Sequence, residues 1–158
     1  MNPDTSAVLH SLLNDRTVAA LGTLENDEPY VSMVPFAVAA SGKGLIIHVS
    51  RLAAHTQNLR RNGRVSLLIV EPEDPDEMPQ SLARVTIQGI AREVSTDDPD
   101  CSGWRQAYLK RFPDAASLFE FADFSLFLIE ITSARLVAGF AQAVTLNAHN
   151  FVAAVKAE

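Results

Sequence analysis

Six stretches of the sequence have strand-like composition, and most of them are joined by short polar turns. They are rich in Val, Ile, Leu and Thr, whereas Gly, Asn, Asp or Pro separates neighbouring stretches. Such short connections favour antiparallel pairing, because parallel neighbours need a crossover of a dozen or more residues. Closing a sheet of this kind into a small barrel removes its exposed edges. The predicted strands span residues 17–24, 30–38, 45–50, 65–70, 83–94 and 124–137.

Helical spacing of apolar residues flanks these strands and interrupts them once. The predicted helices span residues 3–15, 52–62 and 99–121, the last split at Pro113, with a short helix from Asn147. Asn62-Gly63 ends the interrupting helix, because glycine readily takes the left-handed conformation found at helix ends. We therefore expect a mainly β (α+β) fold, a six-stranded antiparallel split β-barrel with flanking helices, as a single domain over residues 1–158.

Composition argues against several function classes. The net charge is −6, and nucleic-acid backbones are bound by clustered Lys and Arg. No apolar run approaches the roughly 20 residues that span a bilayer. Residues 1–5 show neither the basic nor the apolar region of a signal peptide. We expect a cytoplasmic protein that binds neither nucleic acid nor membrane.

The familiar catalytic and metal-binding motifs are missing from the sequence. Cys101 is the only cysteine, and no histidine stands beside it at ligand spacing. No cluster of His, Cys, Asp or Glu has metal spacing. No P-loop, Gly-x-Ser-x-Gly or Gly-x-Gly-x-x-Gly motif is present. We expect no bound metal and a structural or incidental role for Cys101.

The most informative stretch for function is the passage from the third strand into the following helix. The strand ends at Ser50-Arg51, so free backbone N–H groups and the positive end of the helix dipole face outward. Ser50, Arg51, His55 and Thr56 add hydroxyls, a guanidinium and an imidazole, a combination that suits a phosphate monoester. The alternative is a surface helix with solvated arginines, and composition alone favours that alternative.

The aromatic residues and the other histidines have simpler interpretations. His48 lies inside an apolar strand, so we expect it to pack against neighbours or face a groove. Trp104 and Tyr108 are four residues apart on a predicted helix and are expected to anchor it to the core.

Three motifs carry a resemblance to a known family. The second strand contains residues 30–36, Tyr-Val-Ser-Met-Val-Pro-Phe, and residues 52–59 read Leu-x-x-His-Thr-x-Asn-Leu. Gly139-Phe140 follows the last strand. Together with the order of the elements, these motifs resemble the pyridoxamine 5′-phosphate oxidase-like FMN-binding superfamily over residues 15–146, and more narrowly its haem-utilisation branch.

The resemblance implies FMN as the cofactor and a set of residues that bind it. It places the isoalloxazine ring beside strand two, the phosphate at the start of the helix, and a polar flavin contact at Arg84. The alternative for Arg84 is a surface arginine at a strand end. No catalytic side chain is assigned, because the flavin can react without one. The implied cofactor-binding residues are Ser32, Met33, Val34, Pro35, Ser50, Arg51, His55, Thr56 and Arg84.

A small barrel is filled by its own side chains, so a flat ligand has to bind in a groove on the outside. A second copy of the chain is the natural second wall of that groove, and we expect a two-fold homodimer. The expected activity is that of an FMN-dependent oxidoreductase or flavin-reductase-like flavoprotein. It would act on an unidentified small-molecule substrate, with NAD(P)H as a candidate electron donor.

Two alternatives to this activity remain open. One is a haem-binding or haem-utilisation protein, for which His149 is a candidate ligand. The other is a non-catalytic flavin-binding module. Oxidation of a vitamin B6 phosphate is not expected, because Ser32, Ala53 and Ala54 stand where true pyridoxamine phosphate oxidases place basic residues.

Overall fold

The structure, a computed structural model, describes residues 3–139 and 142–156. Within these residues, eight strands and four helices are found, with two 3-10 segments at Pro79–Ser81 and Pro113–Glu120. The helices are α1 (Pro3–Asp15), α2 (Ala54–Arg61), α3 (Cys101–Arg111) and α4 (Ala148–Lys156). The strands are β1 (Val18–Glu25), β2 (Glu28–Pro35), β3 (Ala37–Val38), β4 (Gly44–Ser50), β5 (Arg64–Val70), β6 (Arg84–Glu93), β7 (Phe124–Val137) and β8 (Ala143–Asn147).

All strand pairs are antiparallel, and they form one curled sheet in the order β2-β1-β5-β6-β7-β4-β3. The long strand β7 pairs with β6 along one edge. Along its other edge it pairs first with β4, from Ser50↔Phe124 to Gly44↔Glu130, and then with β8. The predicted mainly β split barrel with flanking helices is thus confirmed, with eight strands in the described residues instead of six.

The extra strands arise at two places. The predicted strand 30–38 divides at Phe36, whose N–H donates to Thr17 O at 3.2 Å, and the chain then changes its partner strand from β1 to β4. The short strand β8 was missed by the sequence analysis. It follows the predicted Gly139-Phe140 motif, of which Phe140 lies outside the described residues.

One face of the sheet forms the main core with α1 and α4. Leu9 and Leu13 of α1 and Phe151 of α4 pack against alternate residues of the strands and are almost fully buried. His10 Nε2 lies 2.8 Å from Ala154 O and ties the two helices together. In the described ranges, no helix combines the length and the apolar character needed to cross a membrane.

A second apolar cluster lies on the other side of β4, beneath α3 and the 3-10 segment that follows it. His48 points into it with 7% of its surface exposed, and its ring stacks on Phe119 with 3.8 Å between the ring centroids. Tyr108 meets the same imidazole edge-on, and Trp104 packs against the cluster. The predicted packing of His48, Trp104 and Tyr108 is therefore confirmed.

Burial of His48 makes the stability of the fold depend on pH. Desolvation, together with the nearby charge of Arg105, lowers the pKa of His48 from 6.5 to about 4. Because the unfolded chain binds this proton more readily, the stabilisation is complete above pH 6.5 and is lost as the pH falls toward 4. His48→Phe should therefore lose less of its unfolding free energy than the wild type between pH 7 and pH 5, as measured by urea denaturation. His149→Ala, which removes an exposed imidazole, is the matched control, and equal losses in the wild type and His48→Phe would contradict the prediction.

Candidate ligand-binding site at the β4–α2 corner

The chain turns sharply where β4 passes into α2, and residues 50–56 are called the β4–α2 corner here. Arg51 is held there at three points. Its N–H donates to Asp123 O at 2.6 Å, and its carbonyl accepts a hydrogen bond from Gln57 Nε2 at 2.6 Å. Its side-chain Nε donates to Ser125 Oγ at 2.9 Å. The guanidinium is therefore exposed but fixed in direction.

A network of charged and polar groups continues from Arg51 into the sheet. Ser125 Oγ donates to Glu93 Oε1 at 2.6 Å. Glu93 in turn accepts two hydrogen bonds from Arg60, at 2.8 and 2.7 Å. These hydrogen bonds, that of Arg60 first, lower the pKa of Glu93 and keep it ionised. The sequence analysis missed Glu93 and Ser125, because they come from strands remote in sequence from Arg51.

The two hydroxyls predicted to bind a phosphate are used within the turn. Thr56 is fully buried, and its Oγ1 donates to Ser50 O at 2.6 Å. Ser50 Oγ accepts a hydrogen bond from Leu52 N at 3.2 Å. The proton of the Thr56 hydroxyl is therefore used within the turn, whereas Ser50 uses only a lone pair there and keeps its proton.

Leu52 follows Arg51 directly in the corner, and His55 comes four residues after Arg51. His55 is half-buried, and desolvation lowers its pKa, which favours the neutral imidazole. Leu52 is 84% exposed. The corner thus presents an apolar side chain, a neutral imidazole and a fixed guanidinium.

The predicted residues of β2 point alternately to the two faces of the sheet. Met33 is exposed on the outer face, whereas Val34 is buried in the core and Pro35 is half-buried. Ser32 points inward, and its buried Oγ has no hydrogen-bond partner within the described chain. Of the four predicted residues, Met33 is the one whose side chain is largely open to a ligand or a partner.

Arg84 lies far from the β4–α2 corner within one chain. It pairs with Val70 at the last residue of β5, whereas α2 leads into the first residue of that strand. The seven residues of β5 span about 20 Å. The Arg84 guanidinium donates to Leu82 O at 2.8 Å, as expected for a surface arginine at a strand end.

The outer face of β1, β2 and β5 carries a group of exposed apolar side chains. Register places Met33 and Leu68 on either side of Ala20, so these residues share one face of the sheet. A contiguous apolar patch of this kind commonly marks an interaction surface. The outer apolar face consists of Val18, Val31, Met33, Leu68 and Val70.

A separate groove of about 910 Å³ lies between α3, α4 and the sheet. His149 and Trp104 line it, together with Lys43 and Arg92. Arg92 is already paired with Asp98 at 2.9 Å and Glu130 at 3.4 Å. Much of its charge is therefore compensated within the chain, which makes the groove a weaker anion site than the β4–α2 corner.

Known proteins are similar to this chain in sequence and in structure. The chloroplastic heme oxygenase HOZ of Arabidopsis thaliana is 37% identical over 139 residues, which are 85% of this chain and 40% of HOZ. The heme oxygenase HutZ of Vibrio cholerae is 28% identical over 87% of this chain and 78% of HutZ. A heme binding protein from Mycobacterium smegmatis superposes with a TM-score of 0.84 at 25% identity, over 97% of this chain and 62% of that protein. The chain thus spans less than half the length of HOZ.

These relatives correct the predicted cofactor. They are named as heme oxygenases or as a heme binding protein, not as flavoproteins, so the prediction of FMN is wrong. A physical reason lies at the corner, since the Thr56 hydroxyl that was predicted to bind the phosphate donates to Ser50 O within the turn. The resemblance to the haem-utilisation branch is confirmed. The model of the pyridoxamine 5′-phosphate oxidase family matches residues 6–138, and the chain belongs to that family.

Proposed function

We propose that this chain binds haem and functions in haem utilisation. The observation that carries the proposal is its similarity to two heme oxygenases along 85% and 87% of its length. A haem-binding or haem-utilisation protein was one of the alternatives predicted from the sequence, and it replaces the predicted flavin-dependent activity. Haem is then both the ligand and the substrate of the protein.

The β4–α2 corner has the chemistry that such a ligand requires. Haem is a flat molecule with two apolar faces, carboxylates on one edge and an iron at its centre. Leu52 offers apolar surface, and the Arg51 guanidinium offers a cation for a carboxylate. The lowered pKa of His55 favours its neutral form, the form of imidazole that coordinates metals. Bound haem would supply a redox-active iron, while these residues bind and orient it.

The outer apolar face supports a homodimer as the functional unit. The main core fills the other side of the sheet, so a flat ligand has no room inside the chain. Pairing two outer apolar faces would remove their side chains from water. This burial would stabilise the dimer by about 25 cal/mol for each Å² of apolar surface. In a two-fold dimer it would also give each copy a second wall for its ligand.

Haemin titration tests the proposed function. The wild type should give a saturable Soret band, whereas His55→Ala should shift the band and weaken binding about tenfold, the equivalent of 1.4 kcal/mol. His149→Ala is the matched comparison, because it removes an imidazole that lines the α3–α4 groove. No Soret band with the wild type would refute haem binding. Loss of the band in His149→Ala alone would move the site to the groove.

Light scattering tests the homodimer. Met33→Glu places a charge in the outer apolar face and should convert the dimer to a monomer at micromolar concentration, because a buried unpaired carboxylate is costly. Met78→Glu is the control, since Met78 is also 62% exposed but lies outside that face. A wild type that is monomeric, or a Met33→Glu variant that stays dimeric, contradicts the proposal.

A further inference from the structure

The direction of the Arg51 side chain is set by groups that neither the sequence motifs nor the relatives point to. An exposed arginine usually samples many rotamers, and ordering it costs entropy. Here the Nε is bound to Ser125 Oγ, and the backbone on both sides of the residue is hydrogen-bonded. The entropy cost of fixing the guanidinium is therefore largely met before any ligand arrives.

Each hydrogen bond in this network has only one consistent direction. Ser125 is 6% exposed, and its hydroxyl has a single proton, which goes to Glu93 Oε1. The lone pairs of the same oxygen then accept the proton of Arg51 Nε. The Glu93 carboxylate is held in its orientation toward Ser125, because two nitrogens of Arg60 donate hydrogen bonds to it. Ser125 is thus an oriented acceptor that holds Arg51 in one position.

Arg51 is the arginine of the network that forms no ion pair among the described residues, although its charge contributes to lowering the pKa of Glu93. Arg60 and Glu93 form an ion pair at 2.7 Å, whereas no carboxylate of the described residues lies within ion-pair distance of Arg51. Its two terminal nitrogens have no hydrogen-bond partner in the described part of the chain. Two parallel N–H groups of this kind match the two oxygens of a carboxylate.

From this geometry we infer that Ser125 and Glu93 are positioning residues that aim the Arg51 guanidinium at a carboxylate of the ligand. The inference rests on the proposed function and adds to it a basis for ligand selection. Tetrapyrroles with free carboxylates are preferred over those whose acids are esterified. The exposed Leu52 beside Arg51 fits a ligand whose apolar body adjoins an acidic edge.

The test compares haemin with haemin dimethyl ester, which has the same ring and iron but no carboxylate. The wild type should bind haemin about tenfold tighter than the ester, since a charge-assisted hydrogen bond contributes on the order of 1.4 kcal/mol or more. Ser125→Ala should remove most of this preference by weakening haemin alone. Ser125→Thr retains a hydroxyl and should restore it. Ser133→Ala is the matched control, because Ser133 lies on the same strand and bonds to Gln88 instead.

The outcomes separate this inference from the proposed function. A wild type that binds neither compound refutes the proposed function and the inference with it. A wild type that binds both equally well refutes the inference alone, as does a Ser125→Ala variant that loses affinity for both in equal measure. If Ser125→Ala does not fold by thermal melting, Glu93→Ala decides, because it removes the acceptor that orients the Ser125 hydroxyl. An unchanged preference for haemin in Glu93→Ala would then overturn the inference.

Discussion

Backbone pairing along β7 is the interaction on which the rest of the structure depends. This strand has β6 on one edge and β4 on the other, and its register opposes Phe124 to Ser50 and Phe127 to Glu93. Ser125 therefore lies between the ends of two strands that do not pair with each other. A slip of one residue would turn its hydroxyl to the opposite face of the sheet. The position of Arg51 is thus a product of sheet register as much as of the corner itself.

Helix α2 is held to the sheet by buried polar residues, of which Thr56 was predicted to bind a ligand. Asn58 is buried and donates to Thr23 Oγ1 at 3.1 Å, and Thr56 donates to the carbonyl of Ser50. Such buried hydrogen bonds are favoured because an unpaired polar group is costly in the core. Docking the helix consumes its inward donors, whereas the Arg51 guanidinium stays exposed on the outside.

The sequence alone was sufficient to predict the elements that are encoded by local residue patterns. It located most of the strands, helix α2 and the packed environment of His48. It began the helix at Leu52, although α2 begins at Ala54 and Leu52 is exposed before it. The division at Phe36 and the Arg51–Ser125–Glu93 contacts depend on residues brought together from distant strands, up to 74 positions apart. No local periodicity contains that information.

Strands β4 and β8 share one edge of β7 but form no ladder with each other. Residues 133–137 of β7 pair with β8, whereas residues 124–130 of β7 pair with β4. A pulling force applied at α4 would first have to draw Phe151 out of the core, and would then peel β8 from β7 one bond at a time from Asn147 toward the loop that joins them. The bonds around Arg51 would carry little of that load. The fold therefore separates mechanically into a C-terminal segment that unzips and a β4–α2 corner that is shielded from the strain.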